Sequence, residues 1–377
     1  MRILLIAPHT TLADPTPSAI FPALLKAYKK NGHEAVLATW GPPSLRQGHF
    51  DSSIYHLRVG SVYRDISTLA RRAHFAHWFL CDYWNPACQS SHAACRNAGI
   101  PWGATLLERG YAERLSPNFS IANNAAKKQA LAEFLRGCAW VTTPSSALAE
   151  GLRADYPCLK KTGVHIVGHG YDPEEVNLAA ANRPPGRFIL CVGRLTHYKG
   201  VDVLLWAFRK AIDRGTDITL VLCGQQSSRH HPLRGFVRKL GMSRRVRFFG
   251  RIGRSAAIRL MRRSLFCVLP SRTEAFGISA LEAMACGKAV VATKSGGPQD
   301  FIEDDVSGLL VPPGDPETMA DAIWRLWKDA SLRVRIERNA KKAAAPYTWG
   351  KIAGRYLPLV ESACEIRSPS SRVMAVA

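Results

Sequence analysis

No stretch of this sequence is both long and apolar enough to cross a bilayer as a helix, which takes roughly 18 apolar residues or more. The most apolar and aromatic run, Ala73 to Trp84, is short and carries His74, His77 and Asp82. The opening MRILLIAP is too short for a signal peptide and reads as a first buried strand. A soluble or peripheral protein is expected.

Acidic residues are also scarce. Asp and Glu number 29 against 51 Lys and Arg in 377 residues, a net charge of +22. Such a surplus attracts polyanions: nucleic acid, anionic lipid headgroups or phosphorylated substrates. The cations run from Lys26, Lys29 and Lys30 to Arg262 and Arg263 and form no tail, so a merely solvated basic surface is the competing reading. No recognition motif or basic strip interleaved with aromatics is present, and nucleic acid is not expected as a partner.

A paired cysteine framework is missing too. Cys191, Cys223 and Cys267, three of ten cysteines, sit in the apolar runs FILCVG, TLVLCG and LFCVLP, where Cys behaves as a small hydrophobe. Cys81, Cys88 and Cys95 recur every seven residues near His77 and His92. Neither C-x2-C nor C-x4-C spacing occurs among them, and Pro86 interrupts any single helix through the three, so no metal site is expected. Free thiols in this number suit a reducing cytosol. There is no internal repeat and no extended low-complexity region.

What is present is ordinary globular material, 47% apolar and 21% charged, long enough for two cores. Short β-rich runs alternate with helical patterns, the mark of parallel sheets with crossover helices. Strands are expected at Ile3–Ala7, Glu34–Thr39, Ile100–Leu107, Trp140–Thr143 and Val164–Val167. Helices are expected at Ala19–Lys30 and Gln129–Gly137. Gly168 to Gly186, rich in Gly, Pro, Asn and Ala, reads as a linker. The alternation then restarts with strands at Phe188–Val192, Ile218–Cys223, Val246–Phe249, Phe266–Leu269, Ala289–Thr293 and Gly308–Val311. A helix is expected over Val201–Asp213 and a last one over Trp349–Glu361. The fold class is α/β, with two open units leaving a cleft between them and ligands bound at the carboxyl ends of the strands.

Two clusters can carry chemistry. Glu274 follows the strand FCVLPS in a loop leading into a helix that begins near Phe276 or Gly277, and Glu282 lies just over two turns along. Carboxylates accept hydrogen bonds from sugar hydroxyls, so the two can grip different hydroxyl-bearing parts of one ligand. The first N–H groups of that helix, at Phe276, Gly277 and Ile278, form an anion site, and Gly277 lets backbone approach a ligand. The bland alternative is a helix with an acidic start and a surface glutamate. In CVGRLTHYKG, Gly193, Arg194, Lys199 and Gly200 again join a strand to a helix. A guanidinium and an ammonium five residues apart suit a diphosphate leaving group. The spacing alone is weak evidence and lacks the G-K-[ST] of a P-loop.

The stretch PSRTEAFGISALEAMACGKAVVATKSGGPQDFIEDDVSGLLVPPGDPETMADAI, taken with Gly193-Arg194-Leu195 and Lys199-Gly200, closely resembles the donor-binding half of retaining GT-B glycosyltransferases, family four. The resemblance is strong over Phe188 to Ile323. It implies two Rossmann-like domains facing each other across a cleft. Residues 1–170 would be the acceptor side, 171–186 a linker and 187–345 the nucleotide-sugar donor domain. Residues 346–366 would be a helix returning to the N-terminal domain, and 367–377 a tail. Glu274, Arg194 and Lys199 would be catalytic. Donor binding would fall to Gly193, Phe276, Gly277, Ile278, Glu282, Arg109 and Gly110. Glu282 would hold the ribose, and Arg194 and Lys199 the diphosphate. The co-substrate would be a nucleotide-diphosphate sugar, with no cofactor and no metal.

The first half is similar to the family more loosely. Thr16-Pro17-Ser18 stands where many relatives have Gly-Gly, Leu107 where many have a donor-touching His, and Gly224-Gln225-Gln226 where G-x-G is usual. His169 stands where Asn is common and is assigned to the interdomain linker; His197 is assigned to solvent in the diphosphate loop. The implied activity is sugar transfer to a glycan, a glycolipid or a small acceptor, in the cytoplasm, with peripheral contact to an anionic inner membrane face. The alternative is a GT-B-shaped binding or scaffold protein that has lost catalysis.

Overall fold

The computed structural model describes residues 1–8, 17–40, 53–80, 86–107, 121–178, 186–226 and 233–365. It divides into two compact units, Met1–His169 with Trp349–Ala377, and Gly170–Thr348.

The first unit is built on seven parallel strands: β1 Arg2–Pro8, β2 Glu34–Trp40, β3 Ile54–Leu57, β4 Phe75–Leu80, β5 Trp102–Leu106, β6 Trp140–Thr143 and β7 His165–Ile166. Their order is β3-β2-β1-β4-β5-β6-β7. Continuous apolar runs such as Ile3–Ala7, wholly buried, suit strands covered by helices on both faces. Two strands, β3 and β4, were not expected from the sequence. β3 is an exposed edge with no apolar alternation. β4 reads FAHWFL, with a histidine in the middle of a fully buried strand. The fold accommodates it by hydrogen bonding: His77 Nε2 lies 2.8 Å from Thr105 Oγ1, and Nδ1 lies 3.5 Å from the Tyr28 hydroxyl.

The last helix, Trp349–Glu365, completes this core. Ile352, Tyr356 and Val360 are buried, and the Thr105 hydroxyl donates to the Tyr356 hydroxyl at 3.3 Å. Cys88 and Cys95 are buried, and His92 stacks edge-on against Trp102 and Phe134. Cys81 lies outside the described residues. Among the described residues no His, Cys, Asp or Glu cluster has the makings of a metal site, and no helix is long and apolar enough to cross a membrane.

The second unit holds β8 Phe188–Val192, β9 Thr219–Cys223, β10 Val246–Gly250, β11 Cys267–Leu269, β12 Val290–Thr293 and β13 Leu309–Val311, all parallel, in the order β10-β9-β8-β11-β12-β13. The order reverses between β8 and β11, the place where such sheets leave room for a ligand beyond the strand ends. The expected linker needs correction at its start. Pro173–Leu178 is a helix, and Tyr171 and Val176 are buried in the second core. The Tyr171 N–H donates to the Tyr347 carbonyl at 2.9 Å, so the chain enters and leaves this unit side by side. Two apolar anchors in polar, Ala- and Pro-rich surroundings gave no periodicity to read. Residues 179–185 lie outside the described residues.

Burial pulls His77 down to about 3 and His169 to about 4, from 6.5. Both are neutral when folded, and the unfolded chain takes up their protons below pH 6.5. The stability they confer is present above pH 6.5 and is lost as pH falls toward 4, by about 2 kcal/mol per histidine at pH 5. Urea unfolding at pH 7 and pH 5, followed by tryptophan fluorescence, should show the lower midpoint at pH 5. Equal midpoints would contradict the buried-neutral assignment.

Candidate active site

Two loops face each other at the sheet-order reversal: Gly193–Gly200 after β8, and Pro270–Gly277 after β11. They are sewn together. The Arg272 N–H donates to the Tyr198 carbonyl at 2.8 Å, and its guanidinium donates to the His197 carbonyl at 2.7 Å. The same guanidinium grips both carboxylate oxygens of Asp202 at 2.7 Å, the bidentate geometry that fixes a fork in place. Gly200, at φ +64°, ends the first loop; a Cβ there would stand 1.9 Å from the Pro270 carbonyl oxygen. Gly224 does the same under Gly193, where a Cβ would meet the Gly193 oxygen at 1.7 Å. On the far side, the Glu274 backbone N–H donates to the Ser295 carbonyl and the Glu274 backbone carbonyl accepts from the Gly297 N–H, each at 3.0 Å.

These constraints bring Lys199 and Glu274 together. The ammonium donates to Glu274 Oε2 at 2.6 Å, and the Ser271 hydroxyl donates to the same oxygen at 3.0 Å. Both side chains are mostly buried, at 19% and 11% exposure. Burial alone would pull the Lys199 ammonium down, but the charge and hydrogen bond of Glu274 outweigh it and hold its pKa above the ordinary value. Arg194 and Lys199 both lie over the Tyr198 ring, at 5.3 and 5.5 Å from its centre, so one aromatic face organises two cations.

The following helix runs Ile278–Ala285, preceded by Gly277 at φ +99°, with no side-chain cap at its start. Its first-turn N–H groups are therefore available to an anion. The Phe276 ring is in the core against Phe301 and Tyr347, leaving only its backbone for the site. Glu282 departs from the expectation of a carboxylate open to a ligand. It is 6% exposed and pairs with Arg254 at 2.5 Å, while Arg254 also donates to Glu175. Glu282 Oε1 accepts no aligned hydrogen bond despite that short contact, so charge holds the pair. Burial, aided by Glu175 and opposed by Arg254, leaves the Glu282 carboxyl above its ordinary pKa.

Arg109, Gly110 and Thr16 lie outside the described residues. Leu107 is buried, and His169 is a core residue of the first unit, edge-on to Trp349 at 6.2 Å. Arg272, Asp202 and Arg254 were missed by sequence reasoning. Asp202 did leave a trace, as a lone acid in the first turn of its helix.

Residues 174–343 match the family described as Glycosyl transferases group 1. The chain is 35% identical over 181 residues to an uncharacterized glycosyltransferase of Methanocaldococcus jannaschii, covering 48% of this chain and 46% of that one. It is 37% identical over 177 residues to the D-inositol 3-phosphate glycosyltransferase of Corynebacterium urealyticum, covering 45% and 42%. These alignments thus span less than half of either relative. Among solved structures, Anabaena HepE in complex with UDP and glucose superposes with a TM-score of 0.74 at 21% identity, over 96% of this chain and all of that one. The sucrose-phosphate synthase of Thermosynechococcus elongatus also gives 0.74, at 19% identity, over 96% and 98%. The fold is GT-B, two parallel-sheet α/β units, as expected.

Gly200→Ala and Gly250→Ala both place alanine at φ near +65°, but only Gly200 faces a backbone atom. Gly250→Ala should cost about 1–2 kcal/mol, the left-handed penalty alone. Gly200→Ala should cost clearly more, read as a larger drop in thermal midpoint. Equal drops would mean that the two loops are not held in contact there.

Proposed function

We propose that this chain, a member of the group 1 glycosyl transferases through residues 174–343, moves a sugar from a nucleotide-diphosphate sugar to an acceptor hydroxyl with retention of configuration. The observation that carries this reading is the Lys199–Glu274 pair at 2.6 Å, mostly buried and beside Arg194. In transfer, the bond from the anomeric carbon to the diphosphate oxygen breaks, and negative charge grows on the leaving group. Lys199, Arg194 and the N–H groups of Gly277 and Ile278 meet that charge. Gly193 and Phe276 contribute backbone to the same site.

Glu274 accepts hydrogen bonds from donor-sugar hydroxyls and orients the ring. The acceptor hydroxyl attacks from the face the diphosphate leaves, and its proton passes to a leaving phosphate oxygen. Arg194 and Lys199 supply the positive charge that a divalent metal would otherwise bring. Glu282 serves the ribose hydroxyls, its burial cost offset by Arg254. The first unit would be the acceptor side. A cytoplasmic protein acting on a glycan, a lipid-linked or a small-molecule acceptor, with peripheral contact to an anionic membrane, fits this reading. The UDP and glucose bound by the Anabaena structure make uridine diphosphate donors the first to try.

Release of UDP from UDP-glucose, with GDP- and ADP-sugars alongside, is the test. Glu274→Ala should abolish release. Lys199→Ala should lower kcat on the order of 10²–10³-fold with a small change in KM, because phosphate charge develops in the transition state. Glu282→Ala should act chiefly on KM, since ribose contacts differ little between ground and transition states. A wild-type protein that binds none of the three nucleotides, or equal kcat and KM losses in both variants, would contradict the assignments.

A further inference from the structure

From Ile218 to Thr273 the sequence contains no aspartate or glutamate, yet it is dense in arginine. Its described part includes the β10 edge of the second sheet and the two helices flanking it. Helix Leu233–Lys239 contributes Leu233 and Val237 to the core on one face of the sheet, and helix Arg254–Arg263 contributes Ile258 and Met261 to the core on the other. Val246 and Phe248 of β10 pack with the first of these cores, so the period-2 alternation turns Arg247 to the opposite face, and Phe249 follows at a register shift between Phe248 and Gly250.

The result is a belt of cations around one sheet edge. Arg238 and Lys239 lie on one helix, Arg247 and Arg251 on and just after the strand, and Arg259 and Arg263 on the other helix. All six are exposed, and none has an ion-pair partner among the described residues. The opposite edge, at β13, is different. There Arg214 pairs with Asp321, Lys210 with Glu317, Arg325 with Asp305 at 3.1 Å and Lys294 with Asp304 at 3.5 Å. Around β10, then, the cations stand without the acidic partners that meet those at the β13 edge.

Apolar groups accompany it. Phe249 is 50% exposed between Arg247 and Arg251. Trp206, 45% exposed, stands edge-on to Phe236 of the first flanking helix at 5.5 Å. Aromatic rings at a basic rim suit the interface of a bilayer, where headgroups meet the cations and rings enter the boundary. A nucleic acid strand would instead call for a row of stacking aromatics along a basic groove. We infer that the β10 edge, centred on Arg247, Phe249 and Arg251, is a docking surface for an anionic lipid bilayer.

This gives a location to the membrane contact in the proposed function, and it stands independently of the donor chemistry, because no nucleotide is needed to test it. The full chain is sedimented with vesicles of phosphatidylglycerol and, separately, of phosphatidylcholine. Binding to phosphatidylglycerol alone, weakening with salt, is expected. Replacing Arg247, Arg251 and Arg259 together by glutamine should weaken it on the order of a hundredfold, given the attraction of each cation near an anionic surface. A charge-matched control at the far edge, Lys294, Arg325 and Arg335 (3.6 Å from Asp305) to glutamine, should weaken it far less, and Phe249→Ala should weaken it at high salt as well as low. Unchanged thermal midpoints show that the variants fold. Equal losses from both triple variants would mean net charge alone acts and would overturn the assignment. Tighter binding of the wild type to a single-stranded oligonucleotide than to the vesicles at the same salt would overturn it as well.

Discussion

An ammonium and a carboxylate held at 2.6 Å in a mostly buried position are costly to assemble, and much of the second unit's loop structure exists to hold them there. Removing either partner leaves a buried charge, so the surrounding chain must fix both. It does so with backbone contact that only glycine permits, at Gly200 over Pro270 and at Gly297 over Phe276. The bidentate Arg272–Asp202 fork adds a cross-brace. The pair is thus a constraint on the sheet-order reversal and the loops above it, rather than a surface ion pair added to a finished fold.

In the proposed function that constraint would have a chemical use: a charge already desolvated and preorganised would act on a developing phosphate charge without having to reorganise solvent. Lys199 also keeps its proton, because Glu274 outweighs the burial that would remove it. The second carboxylate is handled in the same way. Glu282 is buried against Arg254, which shares its charge between Glu282 and Glu175. Glu274 and Glu282 each have a cation from another element beside them, an arrangement that would suit a highly charged ligand.

Legibility in the sequence followed physical lines. Strands with continuous apolar runs, such as FILCV and TLVLC, were readable to within a residue, because burial on both faces leaves one reading. The strand FAHWFL was not, since His77 in the core depends on Thr105 and Tyr28, distant in sequence. Glu274, Glu282, Arg194 and Lys199 were visible as residues in order along strand–loop–helix units. Their partners were harder: spacing along a helix says which face Glu282 occupies, not that Arg254 stands opposite. Arg272 was hidden for the same reason, its role being defined by Asp202 and two carbonyls on another loop. The boundary near Tyr171 was misjudged because two buried anchors in a polar stretch carry no period.

The central claim is that Lys199 and Glu274 work as one unit, and a double-mutant cycle on turnover tests it most directly. UDP release from UDP-glucose would be measured for the wild type, Lys199→Met, Glu274→Gln and the double variant. If the pair is a unit, the double variant should be no slower than the slower single variant, a non-additive result. Losses that multiply, with the double variant slower by the product of the two single effects, would contradict the account.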